Sequence, residues 1–450
     1  MKNNRMIRAA AVVLSAALLT ISSVGNVYAG VCTEKKTSVK KSITAEGSYA
    51  NWDGVTNVSQ FADEKGNFCF AYDNGKYVTV VKGKNKINLK KKTSTFGAVT
   101  CDAEGYFYVV TGAVNSSTDR NKNTVYVSKY DAKGKLLGSV GDDGSSSLAY
   151  YYDDSFHTQI PFYGGNCDVA VNGDYLAVNY AREMYSGHQS NSLLLVDTET
   201  MKKVHVDAYY NSHSFAQRVV PYQNEFLLAS EGDCYDRAFT LSTTKIQAGM
   251  CSSQNTFDFW VEKGTLNDWN MFALNNNFAH LGGIAAGKGN QAALVATSAK
   301  SLSSKALKEN EQLFIQIFDP QKDLSKENGY ITKGTRSGLA GPNGDEQVTN
   351  YGVKWLTNYS SSYTISNPQV VSTTKGNYVV LFERYKGLTY QGVYYMVINS
   401  TGKMVVKATR LSANGYLNPS EMPVYTKGKV YWAGNSRKDQ YIYINSFAVK

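Results

Sequence analysis

The chain has 450 residues, of which 42% are hydrophobic and 19% charged, with a formal net charge of +10. This composition is that of a protein with a packed core and excludes an intrinsically disordered chain. The 33 tyrosines beside only 7 prolines favour strands, because tyrosine packs well on a pleated surface.

The first 29 residues have the features of a signal peptide. Lys2, Arg5 and Arg8 precede an apolar run from Ala9 to Ile21, and Val27-Tyr-Ala supplies the small residue of a cleavage site. The run is too short to span a bilayer comfortably, and no second run follows. We therefore expect residues 30–450 to be a single exported domain with no membrane span, and we do not expect a nucleic-acid partner.

Lysines concentrate in two stretches of the mature chain. They are Lys35, Lys36, Lys40 and Lys41, followed by Lys82, Lys84, Lys86, Lys90, Lys91 and Lys92. Such patches attract polyanions, which outside a cell means acidic polysaccharide or another anionic surface polymer. The alternative is an ordinary solvated face.

Six cysteines lie in the mature chain, an even number that permits disulfides in an exported protein. Cys69 and Cys101 flank equivalent turns of successive repeats and are the first choice for a pair. The absence of any Cys-x-x-Cys motif argues against a zinc site.

One pattern recurs down the chain: a short strand, a small polar turn and a second apolar strand. Each copy predicts a hairpin in which Gly or Asn supplies the turn geometry. The copies begin at Gln60, Ala98, Asp168, Arg218, Gly283, Gln369 and Met422.

A second hairpin follows several of these copies, at Val125, Leu193, Leu313 and Tyr394. Two hairpins make a four-stranded sheet that cannot bury its faces alone, so such units stack around an axis. The sequence therefore predicts an all-β fold, a β-propeller of about seven four-stranded blades. A β-sandwich array is the alternative, but it would show linkers, and we find none.

The C-terminal segment 441–450 ends as a third strand with no fourth strand after it. Because a closed ring leaves no open edge, we expect an N-terminal strand near Ser38 to Ala45 to complete the last blade.

Polar residues concentrate in three segments of the third and fourth units, at residues 180–191, 212–218 and 231–237. If these segments are loops on one face, their side chains converge near the central channel. The candidate ligand-binding residues are Arg182, His188, Gln189, His213, Gln217, Arg218, Asp233 and Arg237.

Three interpretations of these residues remain open. Arg and Gln donate directional hydrogen bonds to hydroxyls or carboxylates, and nearby tyrosines stack on sugars, as in a binding site. Glu183 with Asp233 or Asp236 would suit acid and base roles in glycoside hydrolysis, while His213 would suit proton abstraction in a lyase. In the structural alternative these side chains satisfy backbone carbonyls where blades meet.

No cofactor is expected from the motifs. The acidic runs at residues 142–143, 153–154 and 345–346 contain oxygen ligands suited to Ca²⁺, but none has the spacing of a known calcium loop. Phosphate loops, nucleophile elbows and zinc-protease motifs are absent.

Short motifs from about residue 160 to the end resemble an uncharacterised family of secreted β-propeller proteins from gut-type Gram-positive bacteria. They are Arg182-Glu-Met with His188-Gln-Ser-Asn, Ser212-His-Ser-Phe with Gln217-Arg218, Gly232-Asp-Cys-Tyr-Asp-Arg237, Gly352-Val-Lys-Trp-Leu-Thr, Asn367-Pro-Gln-Val-Val and Val424-Tyr-Thr-Lys-Gly-Lys-Val-Tyr-Trp432. In that family the third motif usually has Ala and Pro where this chain has Cys234 and Asp236. The resemblance implies export and the propeller fold but adds no reaction.

These observations favour a secreted or cell-surface protein that recognises an extracellular ligand, a glycan or another surface polymer. A polysaccharide hydrolase or lyase and a scaffold for protein partners are the alternatives, since propellers host all three functions.

Overall fold

The computed structural model describes most of the mature chain. The described residues are 31–46, 53–147, 153–207, 209–232, 238–258, 278–301, 305–324, 336–337, 347–348 and 353–449. The predicted signal peptide lies outside them. None of the helices within these ranges is long and apolar enough to cross a bilayer.

The described strands form seven antiparallel blades. The first strands of the chain are β1 (Thr33–Lys40), β2 (Ala45–Glu46) and β3 (Val55–Thr56); blade 1 has β4 (Val58–Ala62), β5 (Phe68–Asp73), β6 (Tyr77–Lys82) and β7 (Asn85–Lys90); blade 2 has β8 (Thr95–Cys101), β9 (Phe107–Gly112), β10 (Val125–Tyr130) and β11 (Leu136–Asp142); blade 3 has β12 (Thr158–Pro161), β13 (Cys167–Asn172), β14 (Tyr175–Met184), β15 (Gln189–Asp197) and β16 (Lys202–Val204).

The remaining blades follow in chain order. Blade 4 has β17 (Ser214–Tyr222), β18 (Glu225–Gly232), β19 (Ala238–Lys245) and β20 (Met250–Asp258); blade 5 has β21 (His280–Ala286), β22 (Ala292–Ser298), β23 (Gln312–Phe318) and, after the two-stranded pair β24 (Arg336–Ser337) and β25 (Gln347–Val348), β26 (Lys354–Trp355); blade 6 has β27 (Tyr363–Ser372), β28 (Tyr378–Lys386), β29 (Thr389–Ile398) and β30 (Met404–Arg410); blade 7 has β31 (Val424–Thr426), β32 (Lys429–Asn435), β33 (Tyr441–Ala448) and β1.

The predicted propeller is confirmed, and the seven repeat copies mark the innermost strands of the blades. Successive inner strands contact one another, and the apolar cores lie between neighbouring blades. In blades 1 and 2 the small polar turn after the inner strand depends on an acidic residue and a glycine. In blade 1, Asp63 Oδ1 accepts from the amides of Lys65 and Asn67, and Gly66 has φ +67°.

Closure of the ring by an N-terminal strand is also confirmed. β1 pairs antiparallel with β33, from Thr33 opposite Ser446 to Lys40 opposite Tyr441. The strand begins five residues before the predicted Ser38, and Ala45–Glu46 instead pairs with β3. Val39 is the one apolar core residue of β1, so its sequence carries little periodicity from which to set the bounds.

In blade 5 the structure departs from the predicted second hairpin. The chain after β23 turns into the short helix Pro320–Asp323, capped by the Asp319 side chain, and the fourth strand is supplied much later by β26. Pro320 at the first helical position and Asp319 at the N-cap are typical of a helix start. They divert the chain away from a tight β-turn.

The expected disulfides are absent from the described residues, where five cysteines are free; Cys234 lies outside. The Cys69–Cys101 pairing is therefore not made. Each thiol instead contacts a backbone carbonyl, that of Asn67 for Cys69 and that of Asp102 for Cys101. Burial raises the pKa of both thiols to about 12, which keeps them protonated.

Candidate functional site

Two kinds of link lie at the same end of the ring because strand directions alternate within each antiparallel blade. One joins the second strand of a blade to its third strand, and the other joins the fourth strand to the next blade. We call this end the upper face. It carries the β14–β15 turn with His188 and the β16–β17 link with His213.

Residues 180–191, predicted to form a loop, mostly belong to strands. β14 and β15 pair from Tyr175 opposite Asp197 to Glu183 opposite Gln189, and β12 adds a further strand beside the upper end of β14. In blade 3, the strands β12, β14 and β15 therefore form a three-stranded extension beyond the inner strand β13.

Arg182 lies inside this extension and is fully buried. Its Nε donates to Ser190 Oγ at 3.0 Å, and Nη1 donates to the Gly144 carbonyl at 3.0 Å and to Thr158 Oγ1 at 3.1 Å. The guanidinium thereby joins β14 and β15 to the segment that enters blade 3. It is not presented to solvent.

Gln217 and Arg218, on β17, are also buried. The Gln217 backbone exchanges hydrogen bonds with the Asn166 side chain, and Arg218 donates to the Gly282 carbonyl at 2.9 Å. Arg218 Nη1 also lies 2.8 Å from Asp53 Oδ2 in an ion pair whose side chains are 2% and 4% exposed. These contacts join blades 3, 4 and 5 with the segment before blade 1.

Acidic side chains link neighbouring blades in a repeated way. A carboxylate accepts a backbone N–H from the next blade or from the segment leading into it. The links are Asp168 to Val219 at 2.8 Å, Glu231 to Leu281 at 2.7 Å, Glu383 to Leu417 at 2.7 Å and Glu421 to Gln60 at 3.0 Å. The ring thus uses polar side chains to satisfy buried backbone groups between blades.

Burial raises the pKa of three of these carboxyls. Desolvation brings the pKa of Asp168 to about 6, that of Glu383 to about 7 and that of Glu421 to about 8. The nearby Asp168 charge adds to the shift of Glu421, while Arg218 opposes it. Ionising these groups therefore costs free energy in the folded state.

An outer polar layer lies above the buried one. His188 is exposed, and its ring meets the His213 ring edge to face, with centroids 5.5 Å apart. The His213 amide donates to the Gln189 carbonyl at 2.7 Å, and Gln189 Nε2 reaches Glu183 Oε2 at 3.4 Å. His213 has φ +48°, a left-handed conformation that is uncommon outside glycine.

The eight predicted ligand residues thus fall into three groups. His188, Gln189 and His213 form the outer layer with Glu183, whereas Arg182, Gln217 and Arg218 lie beneath it. Asp233 and Arg237 lie outside the described residues, as does Asp236. Sequence reasoning missed Asp53, Glu383 and Glu421, which are far apart in the chain from the predicted site and stand in no motif.

The acidic runs considered for Ca²⁺ serve local turns where they are described. Asp142 accepts from the Gly144 amide, Asp143 from the Ser145 amide and Asp153 from the Ser155 amide; residues 345–346 lie outside the described residues. In the part of the chain that the structure describes, there is no cluster of three or more His, Cys, Asp or Glu side chains that could hold a metal ion.

Five of the ten lysines in the two lysine stretches lie on the outermost strands of two neighbouring blades. Lys35, Lys36 and Lys40 are exposed on β1 of blade 7, and Lys86 and Lys90 are exposed on β7 of blade 1. Lys82 and Lys91 instead pair with acidic residues of blade 1. Lysines on outer strands also discourage edge-to-edge pairing of sheets.

No protein-family model matches this sequence, and no curated protein matches it. These comparisons therefore do not confirm that the chain belongs to the secreted family that its motifs resemble. The propeller fold implied by that resemblance is confirmed.

Several solved structures are similar at low identity. A protein of unknown function from Dyadobacter fermentans matches 82% of this chain and 97% of its own, with 10% identity and a TM-score of 0.40. An ulvan lyase of a new polysaccharide lyase family matches 76% and 81%, with 9% identity and a TM-score of 0.38. The α-L-arabinanase of Cellvibrio cellulosa matches 71% and 100%, with 9% identity and a TM-score of 0.30. At these values the similarities carry no argument about activity.

Proposed function

We propose that the protein is exported and that its upper face binds an extracellular ligand, a glycan or another surface polymer. The observation that carries this proposal is the histidine pair. His188 and His213 project from two different links of the chain and meet above a layer of buried, hydrogen-bonded side chains. Imidazoles offer both hydrogen-bonding nitrogens and flat rings, which suit hydroxyl-rich ligands.

The backbone of His213 supports a functional role for this position. A non-glycine residue at φ +48° costs conformational energy, and such residues cluster at ligand-binding sites. Here the Gln189 carbonyl holds the His213 amide, and Ser212 Oγ lies 3.0 Å from Nδ1 of the ring. The ring is therefore positioned before a ligand arrives, which reduces the entropy lost on binding.

Binding is preferred to catalysis because Glu183, the one candidate catalytic carboxyl among the described residues, already has a partner. Its Oε2 accepts from Gln189 Nε2 at 3.4 Å. The hydrolase or lyase alternative retains Glu183, His213 and Asp233 as candidate catalytic residues. A scaffold for protein partners is the second alternative.

Native affinity electrophoresis through gels that contain a panel of neutral and acidic polysaccharides tests the proposal. We expect retardation by at least one polymer, and we expect His188→Ala and His213→Asn to raise the dissociation constant about tenfold. Asn tolerates the left-handed conformation, so His213→Asn removes the ring without new backbone strain. His205→Asn is the matched control, because His205 is an exposed histidine in the same β16–β17 link and pairs with Asp207.

Each other outcome favours a different function. Clearing of the polymer behind the protein band would establish an enzyme and direct attention to Glu183. Equal loss of retardation in His205→Asn would show that the histidine pair is not the site. Absence of retardation in every gel would contradict the glycan proposal and favour the protein scaffold.

A further inference from the structure

A second polar cluster lies at the upper face, at the seam between blades 5 and 6. Arg384 is near the upper end of β28, and Tyr394 is on the adjacent β29. Tyr359 lies in the link between β26 and β27, and Tyr363 is the first residue of β27. With the exposed Lys386, these residues form what we call the seam cluster.

The guanidinium of Arg384 is surrounded by aromatic rings. Its Cζ lies 4.2 Å from the ring centroid of Tyr394, 5.0 Å from that of Tyr363 and 5.3 Å from that of Tyr359. Arg384 Nη2 also donates a hydrogen bond to the Tyr394 hydroxyl. Packing against three rings fixes the side chain in one orientation.

The positive charge of Arg384 has no carboxylate partner among the residues that the structure describes. Glu383 is its neighbour along β28, but successive side chains point to opposite faces of a sheet, and Glu383 accepts from Leu417 in the link to blade 7. Lys386 adds a second cation, with Nζ 6.0 Å from the Tyr363 ring centroid. Arg410 is a third cation. It packs beside Gly392, the residue that lies opposite Arg384 where β28 pairs with β29.

Two features favour an external anion over a purely structural role. Arg384 has no acidic partner within the described ranges, and its Nε is buried there with no hydrogen-bond acceptor. The side chain is half-buried, as are Tyr359 and Tyr363, so the cluster reaches solvent. A preoriented guanidinium without a carboxylate partner matches the planar geometry of a carboxylate.

We propose that the seam cluster binds a uronate residue of an acidic glycan. The sugar carboxylate pairs with Arg384 and Lys386, and the apolar face of the sugar ring stacks on Tyr363. This inference goes beyond the histidine pair, which lies on blades 3 and 4, and either site can fail while the other holds.

Isothermal titration of the purified protein with polygalacturonate, hyaluronan and methyl-esterified polygalacturonate tests this inference. Esterification keeps the sugar chain and removes its charge. We expect at least one acidic polymer to bind and the ester to bind at least tenfold more weakly. Arg384→Gln should weaken binding of the acidic polymer at least tenfold, and Tyr363→Ala about fivefold.

Arg437→Gln is the matched control, because Arg437 also lies over a tyrosine, with its Cζ 5.1 Å from the Tyr390 ring centroid, and is exposed at a different seam. Lys386→Gln changes an exposed side chain and provides a second reading if Arg384→Gln fails to fold; we expect it to weaken binding about threefold. Equal affinity for the ester, an effect of Arg437→Gln as large as that of Arg384→Gln, or no binding of either acidic polymer would overturn the proposal.

Discussion

Arg218 and Asp53 form an ion pair whose burial makes it sensitive to the loss of either partner. Arg218→Met leaves Asp53 buried, with the Ser420 hydroxyl and the Gly54 amide as its remaining donors among the described residues. Breaking a buried pair from one side costs about 3–5 kcal/mol. We expect a loss of that size in the free energy of unfolding, measured by urea denaturation.

The double variant Arg218→Met with Asp53→Asn identifies the cause, because it also removes the stranded charge. It should recover at least half of the loss. A double variant no more stable than Arg218→Met alone would show that lost packing, and not the carboxylate, is responsible. The same burial means that substitution of Arg218 would not distinguish ligand binding from folding.

Residue type alone could not separate the two polar layers of the candidate site. Arg182, Arg218 and His188 all stand in polar motifs of the sequence, yet two are buried and one is exposed. Burial here depends on which other segments pack over each side chain: Gly144 and Thr158 contact Arg182, whereas Gly282 and Asp53 contact Arg218. That is a long-range property, and Asp53, the partner of Arg218, lies 165 residues away.

At the scale of elements, the strand β1 closes the ring by pairing with β33, and Val39 is its one buried apolar side chain. Backbone hydrogen bonds, each contributing about 1 kcal/mol, join the two strands, and Glu34 also accepts hydrogen bonds from Asn414. A chain that begins at Ser42 leaves β33 as an open edge. We expect it to lose on the order of 5 kcal/mol of stability and to self-associate, as measured by thermal unfolding and size-exclusion chromatography.

Lys36→Ala is the control for that truncation. It removes the exposed Lys36–Asp439 ion pair but leaves the backbone pairing of β1 intact, so little change is expected. A peptide of residues 31–42 added to the truncated chain should restore a monomer. Unchanged stability of the truncated chain would mean that β1 does not close the ring in solution.

Strand prediction succeeded where local turn chemistry sets the pattern and failed where it does not. The inner strands were found because each is followed by a short polar turn such as Asp63 to Asn67. β26, only two residues long, joins blade 5 after a long insertion, so no local pattern marks it. Because the sequence showed no fourth strand after β33, it predicted that an N-terminal strand closes the ring. It did not predict the bounds of that strand, β1.

For the whole molecule, the interblade carboxyls predict a stability that depends on pH. Asp168, Glu383 and Glu421 have pKa values raised to about 6, 7 and 8 in the folded ring. The unfolded chain releases these protons near pH 4, so from there to about pH 8 the folded state binds more protons. Stability therefore falls as pH rises through this window, by about 1.4 kcal/mol for each unit of pKa shift.

Urea denaturation at pH 5, 7 and 9 and constant ionic strength measures this slope. Glu383→Gln removes one titrating group, and Gln can still accept from the Leu417 amide, so the loss of stability between pH 5 and pH 9 should shrink by on the order of 3 kcal/mol. Glu64→Gln is the control, because the Lys82 ammonium lowers the pKa of Glu64 and confines its effect to acid pH. A profile that rises from pH 5 to pH 9, or one that Glu383→Gln leaves unchanged, would show that these carboxyls are ionised within the ring and that their backbone links outweigh desolvation.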